Sequence, residues 1–245
     1  GDPSVRARVG VCPQQVVIWP RLTCREQLVF MGEAYDLPRR KAEQSADQLL
    51  TALGLVEKRD KLARTLSGGM QRRLSIALAL VHDPDIVVLD EPEAGLDPQS
   101  RVLVREYVSS LAHDRGKTVL FTTHNMDEAE RVTDRVAILD HGRLLELDTP
   151  EGLRRRVGGG VTLELALSAG GSPVPDEAQR GLREALPGVV AGPNGLVLRR
   201  RAVVDELPAI LDLVRSRGLS VGRLQLREST LEDVFLALTG RSLRE

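Results

Sequence analysis

The chain has 245 residues, of which 42% are hydrophobic and 28% charged, as in a globular protein with room for one large domain or two smaller ones. A formal net charge of −1 and an aromatic content of 2% give no basis for nucleic acid as a partner. The two cysteines, Cys12 and Cys24, make no disulfide framework, and no apolar run is long enough to span a bilayer.

The first part of the chain alternates short apolar runs with helical patterns. The capping-box pair Thr23 and Glu26 predicts a helix over 23–35, and Gly54 ends a second helix. The alternation predicts an α/β domain with a mainly parallel sheet. In chain order, we predict a strand at 7–12, helices at 23–35, 39–53 and 67–82, a strand at 85–90, a helix at 98–113, a strand at 118–122, a short helix from 126 and a strand at 135–139.

The pattern changes beyond the glycine-rich segment 157–160, where we expect a domain boundary. The order β-α-β-β-α-β that follows predicts a small ferredoxin-like domain over 157–245. Its last helix is expected to begin with a capping box formed by Ser229 and Glu232 and to end at Gly240.

Two short motifs carry candidate chemistry. Ser67, Gly68 and Gly69 open a helix, whose exposed N–H groups and dipole suit a phosphate, although a helix cap without a ligand fits equally well. Asp90 and Glu91 follow an apolar strand, which places two carboxylates at a crevice edge. The two carboxylates can then have separate roles, with Asp90 binding Mg²⁺ and Glu91 acting as the general base for a water molecule. A polar turn at the end of a strand is the alternative.

Two single residues follow strands in the same way. His124, after the strand at 118–122, is placed to bind a phosphate oxygen, and Gln14, after the first strand, is placed to bind Mg²⁺ or water. Taken alone, a histidine or glutamine at such a position is more often a structural hydrogen-bonding group.

The order of these motifs resembles the ATPase domain of ABC transporters, a P-loop NTPase fold. Gln14 matches the Q-loop and His124 the H-loop, and the resemblance covers residues 1 to about 155. It implies an ATPase domain over 1–156 with a helical subdomain at about 23–82. The signature segment Leu66–Gln71, the Walker B strand Ile86–Glu91 and the D-loop Ala94–Asp97 lie between them. The ending Thr230–Gly240 resembles ATPases of daunorubicin-resistance exporters.

The resemblance implies an ATPase subunit that works at the cytoplasmic face of the membrane with a separate transmembrane permease. Two such subunits would meet head to tail around ATP and Mg²⁺. Glu91, His124 and Gln14 would be catalytic, and Asp90 and Gln14 would hold the metal ion. The residues implied to contact nucleotide or line the dimer seam are Ser67, Gly68, Gly69, Gln71 and Asp97.

The sequence departs from the family pattern in its phosphate-binding loop. The pattern G-x-x-x-x-G-K followed by Ser or Thr does not occur, and Gly116-Lys117-Thr118 precedes a strand instead of opening a helix. We therefore expect a chain truncated before the Q-loop, and poor ATP binding and hydrolysis by residues 1–245 alone. Glu93 stands where the family more often has Thr or Ser.

Three functions remain open at this stage. The first is the ATPase of an exporter of a drug, antibiotic or lipid-like compound, which the C-terminal ending favours. The second is a soluble ABC protein acting on ribosomes or DNA, which usually has a second ATPase domain or inserted coiled coils. The third is an inactive remnant or regulatory module, which the missing phosphate loop allows.

Overall fold

The computed structural model describes residues 2, 5, 7–156, 161–169, 174–186, 188–192, 195–200 and 203–239. The chain divides into two compact units, Gly1–Asn125 and Met126–Glu245. The predicted linker at 157–160 and the predicted helix end at Gly240 lie outside the described residues, so the division into domains at 156 and 157 stays a prediction.

The first unit contains a parallel sheet of three strands in the order β1-β2-β3. Its strands are β1 (Val9–Cys12), β2 (Ile86–Asp90) and β3 (Thr118–Thr122), and its helices are α1 (Cys24–Ala34), α2 (Arg39–Ala52), α3 (Gly68–Leu80) and α4 (Pro98–His113). Short 3-10 turns at Val56–Lys58 and Ala63–Thr65 connect α2 to α3. The mixed α/β architecture agrees with the sequence prediction.

Local capping determines where two of these helices begin. The Thr23 hydroxyl accepts a hydrogen bond from the Glu26 N–H at 3.1 Å, and the Glu26 carboxylate accepts one from the Thr23 N–H at 2.7 Å. This reciprocal pair is the predicted capping box, and it starts α1. Asp97 caps α4 in the same way by accepting a hydrogen bond from the Ser100 N–H at 2.9 Å.

The register of the parallel sheet brings the candidate residues to one edge. Cys12 pairs with Leu89, and Asp90 pairs with Thr122, so the three strands end at nearly the same level. Chain segments that leave the carboxyl ends of neighbouring parallel strands share one crevice. Gln14, Glu91 and His124 follow those three ends.

The second unit holds a hairpin and a separate antiparallel sheet. It begins with α5 (Met126–Val132), the paired strands β4 (Val136–Asp140) and β5 (Arg143–Asp148), and α6 (Pro150–Arg156). The sheet has the order β7-β8-β6-β9. Its elements are β6 (Val161–Ser168), α7 (Asp176–Ala185), β7 (Val189–Gly192), β8 (Gly195–Arg200), α8 (Val203–Ser216) and β9 (Ser220–Glu228), and α7 and α8 share a hydrophobic core with the strands.

The last helix, α9 (Leu231–Thr239), begins one residue later than the sequence predicts. The predicted capping box of Ser229 and Glu232 is wrong. The pair that forms is Thr230 with Asp233, because the buried Asp233 carboxylate accepts from the Thr230 N–H at 2.9 Å and pairs with Arg227 at 2.7 Å. Its buried residues join a core with α5, β4 and α6, made of Ala129, Ile138, Leu153, Leu231 and Val234.

Within the described part of the chain, every helix is too short or too polar to cross a membrane.

Candidate functional site

Glu91 is the centre of the candidate site. It follows β2 directly, and its carboxylate contacts two of the side chains that the sequence singled out. Gln14 Nε2 donates to Glu91 Oε2 at 3.2 Å, and His124 Nδ1 lies 3.0 Å from Glu91 Oε1. Thus three segments that are far apart in the sequence meet at one carboxylate.

The backbone at Glu91 is held in a rare conformation. Its φ angle of +48° lies in the left-handed region, which a residue with a side chain seldom adopts. The Glu91 N–H donates to both the carbonyl and the hydroxyl oxygen of Thr122, each at 3.1 Å. Strain of this kind concentrates at functional sites, where the surrounding structure enforces it.

Asp90 is fixed by the neighbouring strand. The Thr122 hydroxyl donates a short hydrogen bond to Asp90 Oδ1, across the pairing of β2 with β3. Thr122 therefore orients both carboxylate residues. Its hydroxyl group donates to the Asp90 carboxylate, and its hydroxyl and carbonyl oxygens both accept from the Glu91 N–H. Sequence reasoning missed Thr122, although its place two residues before His124 at a strand end is a usable signal.

The site is open to solvent. The His124 side chain is 79% exposed and that of Glu91 is 25% exposed. Gln14 is exposed as well. A carboxylate that is partly covered, with an imidazole and an amide beside it, can orient a water molecule and accept its proton.

The signature residues form a second group at the N-terminus of α3. Ser67 caps this helix, because its hydroxyl oxygen accepts from the Met70 N–H at 3.3 Å. Gly68 is exposed, and a Cβ built on it meets no atom within 4 Å, so there is open space beside this helix start. Gln71 turns back and donates to the Leu66 carbonyl at 3.1 Å.

The D-loop lies beside this helix start. A Cβ built on Gly69 would lie 3.4 Å from Leu96, so the signature segment and the D-loop are in contact within the same chain. Asp97 uses both carboxylate oxygens to hold Ser100, at 2.9 Å to its N–H and 2.7 Å to its hydroxyl group. These bonds, first from the Ser100 hydroxyl group and then from its N–H, lower the pKa of Asp97.

Arg72 connects the two groups, and sequence reasoning missed it. It lies in α3 and is only 3% exposed. Its guanidinium group donates to the backbone carbonyls of Pro13, Gln14, Asp90 and Glu91. The only signal in the sequence is a cation that precedes a helix segment in which Ser75 is the single polar residue.

The donor set at the site suits a magnesium ion carried by a nucleotide. Among the described residues, no three His, Cys, Asp or Glu side chains are grouped closely enough to hold a metal ion by themselves. Mg²⁺ in proteins is usually bound through one or two carboxylates together with substrate phosphates and water. Asp90, oriented by Thr122 at the crevice, can supply one such carboxylate, and the Gln14 amide can supply a neutral oxygen.

Comparison with known proteins relates this chain to the ATP-binding subunits of ABC transporters. The family model described as "ABC transporter" matches residues 1–94. The linearmycin resistance ATP-binding protein of Bacillus subtilis is 32% identical over an alignment of 257 positions, which covers 99% of this chain and 78% of that protein. The daunorubicin/doxorubicin resistance ATP-binding protein of Streptomyces peucetius is 39% identical over 240 residues, 97% of this chain and 71% of that protein.

Two further matches point the same way. The Nod factor export ATP-binding protein I of Ralstonia nicotianae is 37% identical over an alignment of 248 positions, which covers 98% of this chain and 73% of that protein. A solved structure described as "Structure of ATP binding subunit of ABC transporter" superposes with a TM-score of 0.58 and 27% identity, covering 64% of this chain and 65% of that one.

Proposed function

Since this chain belongs to the family of ABC transporter ATP-binding subunits, we propose that it is the ATPase that powers an exporter with a separate membrane subunit. Its relatives are named for resistance to linearmycin and to daunorubicin and for export of Nod factor. Those names support a drug, an antibiotic or a lipid-like compound as the exported substrate. The protein then works at the cytoplasmic face of the membrane, bound to its permease.

The observation that carries the proposal is the meeting of Gln14 and His124 on the Glu91 carboxylate. In the proposed reaction, Glu91 accepts a proton from the water that attacks the γ-phosphate. His124 donates a hydrogen bond to that phosphate, and Gln14 orients the water. Asp90 would hold Mg²⁺ together with Gln14, and the ion would neutralise charge on the phosphate oxygens.

The signature residues act, in this proposal, on the nucleotide of a second subunit. Ser67, Gly68 and Gly69 lie at the start of a 13-residue helix, with open space beside Gly68. The N–H groups of a helix start suit a phosphate, here one brought by a head-to-tail partner. Gln71 supports this segment through its bond to Leu66. Asp97 would lie at the seam, since the D-loop contacts the signature segment through Leu96.

We assign the residues after the ATPase domain to a small accessory domain with a ferredoxin-like arrangement. The strand order β7-β8-β6-β9 and the helices α7 and α8 support this assignment. The proposed range remains 157–245. Helix α9 lies at its end and shares a core with α5 and α6, which suits a connection between the two parts.

The test is ATP hydrolysis by the complete gene product, assembled with its membrane subunit, for the wild type and for Glu91→Gln. The substitution keeps the shape of the side chain but removes the group that accepts the proton. We expect the turnover number to fall by about 10²–10⁴-fold. Glu106→Gln is the matched control, since Glu106 is exposed on α4 and should leave hydrolysis unchanged.

Three results would count against the proposal in different ways. Equal hydrolysis by wild type and Glu91→Gln removes the role of Glu91. No hydrolysis by the wild type supports an inactive remnant. Hydrolysis that is indifferent to the membrane subunit, together with unchanged drug sensitivity of the cells after gene deletion, supports a soluble ABC protein instead.

A further inference from the structure

The buried guanidinium group of Arg72 lies between the two loops that carry the proposed catalytic side chains. One terminal nitrogen, Nη1, donates to the carbonyl oxygen of Pro13 at 2.6 Å and to that of Gln14 at 3.0 Å. The other, Nη2, donates to the carbonyl oxygens of Asp90 and Glu91, the latter at 3.0 Å. One side chain therefore holds both loops by their backbones.

We propose that Arg72 is a positioning residue for ATP hydrolysis, which sets the place of Gln14 relative to Glu91 and fixes both to the helix that carries the signature glycines. The inference rests on the proposed function. It adds that the distance of 3.2 Å between Gln14 Nε2 and Glu91 Oε2 depends on a residue that touches neither side chain's polar group.

The energetics argue against a purely stabilising role. The hydrogen bonds found for this guanidinium group in the described part of the chain all go to neutral backbone carbonyls, and Nε has no partner there. Burying a cation that is not paired with a carboxylate costs desolvation free energy, so an apolar side chain of similar size would stabilise the fold more. Such a group is better explained by the geometry it enforces.

The chemistry of arginine matches this task, and that of lysine does not. A guanidinium group is planar and has two terminal nitrogens with two hydrogens each, so it can serve two pairs of carbonyls at fixed angles. A lysine ammonium group is a single point with three donors. In Arg72→Lys, the buried charge is kept, but one loop loses at least part of its anchor.

The same side chain connects the site to the surface proposed to meet the second subunit. Arg72 follows Gly68 by four residues in α3, a rise of about 6 Å along a rigid helix. A shift of the helix start, caused by a nucleotide on the partner, is therefore passed to the carbonyls that hold Gln14 and Glu91. Arg72 thus provides a direct physical link between the two nucleotide sites.

The neighbouring residue provides a matched control. Arg73 lies in the same helix and also donates to backbone carbonyls, those of Leu53 at 2.7 Å and Gly54 at 3.2 Å, which belong to the end of α2 and the turn after it. Arg73→Lys removes the same chemical group from the same helix. It should lower stability to a similar degree without acting on the Gln14 and Glu91 loops.

The experiment measures steady-state ATP hydrolysis by the complete gene product with its membrane subunit. For Arg72→Lys, we expect kcat to fall at least about tenfold with the KM for ATP changed by less than about threefold, because loop placement affects the reaction more than binding. For Arg73→Lys, we expect kcat within about twofold of the wild type. Arg72→Gln repeats the measurement without the buried charge.

A double substitution separates positioning from a loss of folded protein. Gln14→Ala should lower kcat by about tenfold in the wild type but by less than about twofold in Arg72→Lys, since Gln14 is then already misplaced. A smaller fraction of folded protein would leave that ratio unchanged.

The proposal is overturned if Gln14→Ala has the same effect in both backgrounds, if it has no effect in the wild type, or if both Arg72 variants keep full activity. A wild type without hydrolysis would instead refute the proposed function, so the two failures are distinguishable.

Discussion

Replacing Glu91 by glycine should give a more stable protein than replacing it by alanine, although glycine usually destabilises. Both variants lack the carboxylate, so they differ only by the Cβ methyl group and its effect on the backbone conformation. At φ = +48°, a side chain costs about 1–2 kcal/mol that glycine does not incur. Relative to alanine, glycine lowers the free energy of unfolding by about 0.5–1 kcal/mol, because it gives the unfolded chain greater conformational freedom. The balance favours Glu91→Gly by about 0.5–1 kcal/mol.

The control is Ala94→Gly, three residues further along the same turn. Ala94 is exposed and is absent from the residues with positive φ in the described part of the chain. Here glycine has only its entropic cost, so stability should fall by about 0.5–1 kcal/mol. The sign of the glycine effect therefore reverses between the two positions.

The assay uses the fluorescence of Trp19, the single tryptophan, which lies in the same compact unit as both positions. A difference of 1 kcal/mol corresponds to a shift of about 4 °C in the unfolding midpoint for a unit that spans Gly1–Asn125. If Glu91→Gly is less stable than Glu91→Ala by the same amount that Ala94→Gly loses, Glu91 is not strained and the reasoning from its conformation fails.

Three further predictions concern helix α9, the start of α4 and the cysteines. Leu231→Ala, at a fully buried position, should destabilise the second unit by about 2–5 kcal/mol, seen as faster amide hydrogen exchange throughout α9; unchanged exchange would contradict the packing. The hydrogen bonds from Ser100 lower the pKa of Asp97 in the folded protein. The carboxylate therefore stabilises α4 fully above the ordinary pKa of 3.8, and this stabilisation is lost as the pH falls through the lowered folded-state pKa. Asp97→Asn should remove that part of the acid dependence of unfolding. Burial raises the pKa of the Cys12 thiol and of the Cys24 thiol, so a thiol reagent should label the native protein slowly and the unfolded protein fast; equal rates would contradict their burial.

Elements specified by short-range patterns were predictable from the sequence. The capping box of Thr23 and Glu26 needs only residues three apart, and α1 begins where that pair places it. The strand β5 was missed because its apolar residues, Leu144, Leu145 and Leu147, do not alternate with polar ones and are partly or largely exposed. An alternating pattern of apolar residues indicates a strand with one buried face, and the apolar side chains of this strand are not buried.

The start of α9 shows where local patterns become ambiguous. The segment contains two overlapping pairs with the spacing of a capping box, Ser229 with Glu232 and Thr230 with Asp233. The second pair forms because Asp233 is also held by Arg227 from β9, at 2.7 Å, and lies buried. The choice therefore depends on the strand before the helix and on the core below it.

The candidate site divides in the same way between local and long-range information. The order of the motifs and the shared edge of parallel strands were enough to predict that Gln14, Glu91 and His124 belong together. Nothing local distinguishes Arg72 from Arg73, because α3 is buried on every side from Leu74 to Leu80 and helical periodicity offers no preferred face. One arginine reaches the ends of β1 and β2, and the other reaches the end of α2. That difference arises only when the sheet and the helices have packed together, so Arg72 is recognised from the hydrogen bonds that it makes in the folded chain.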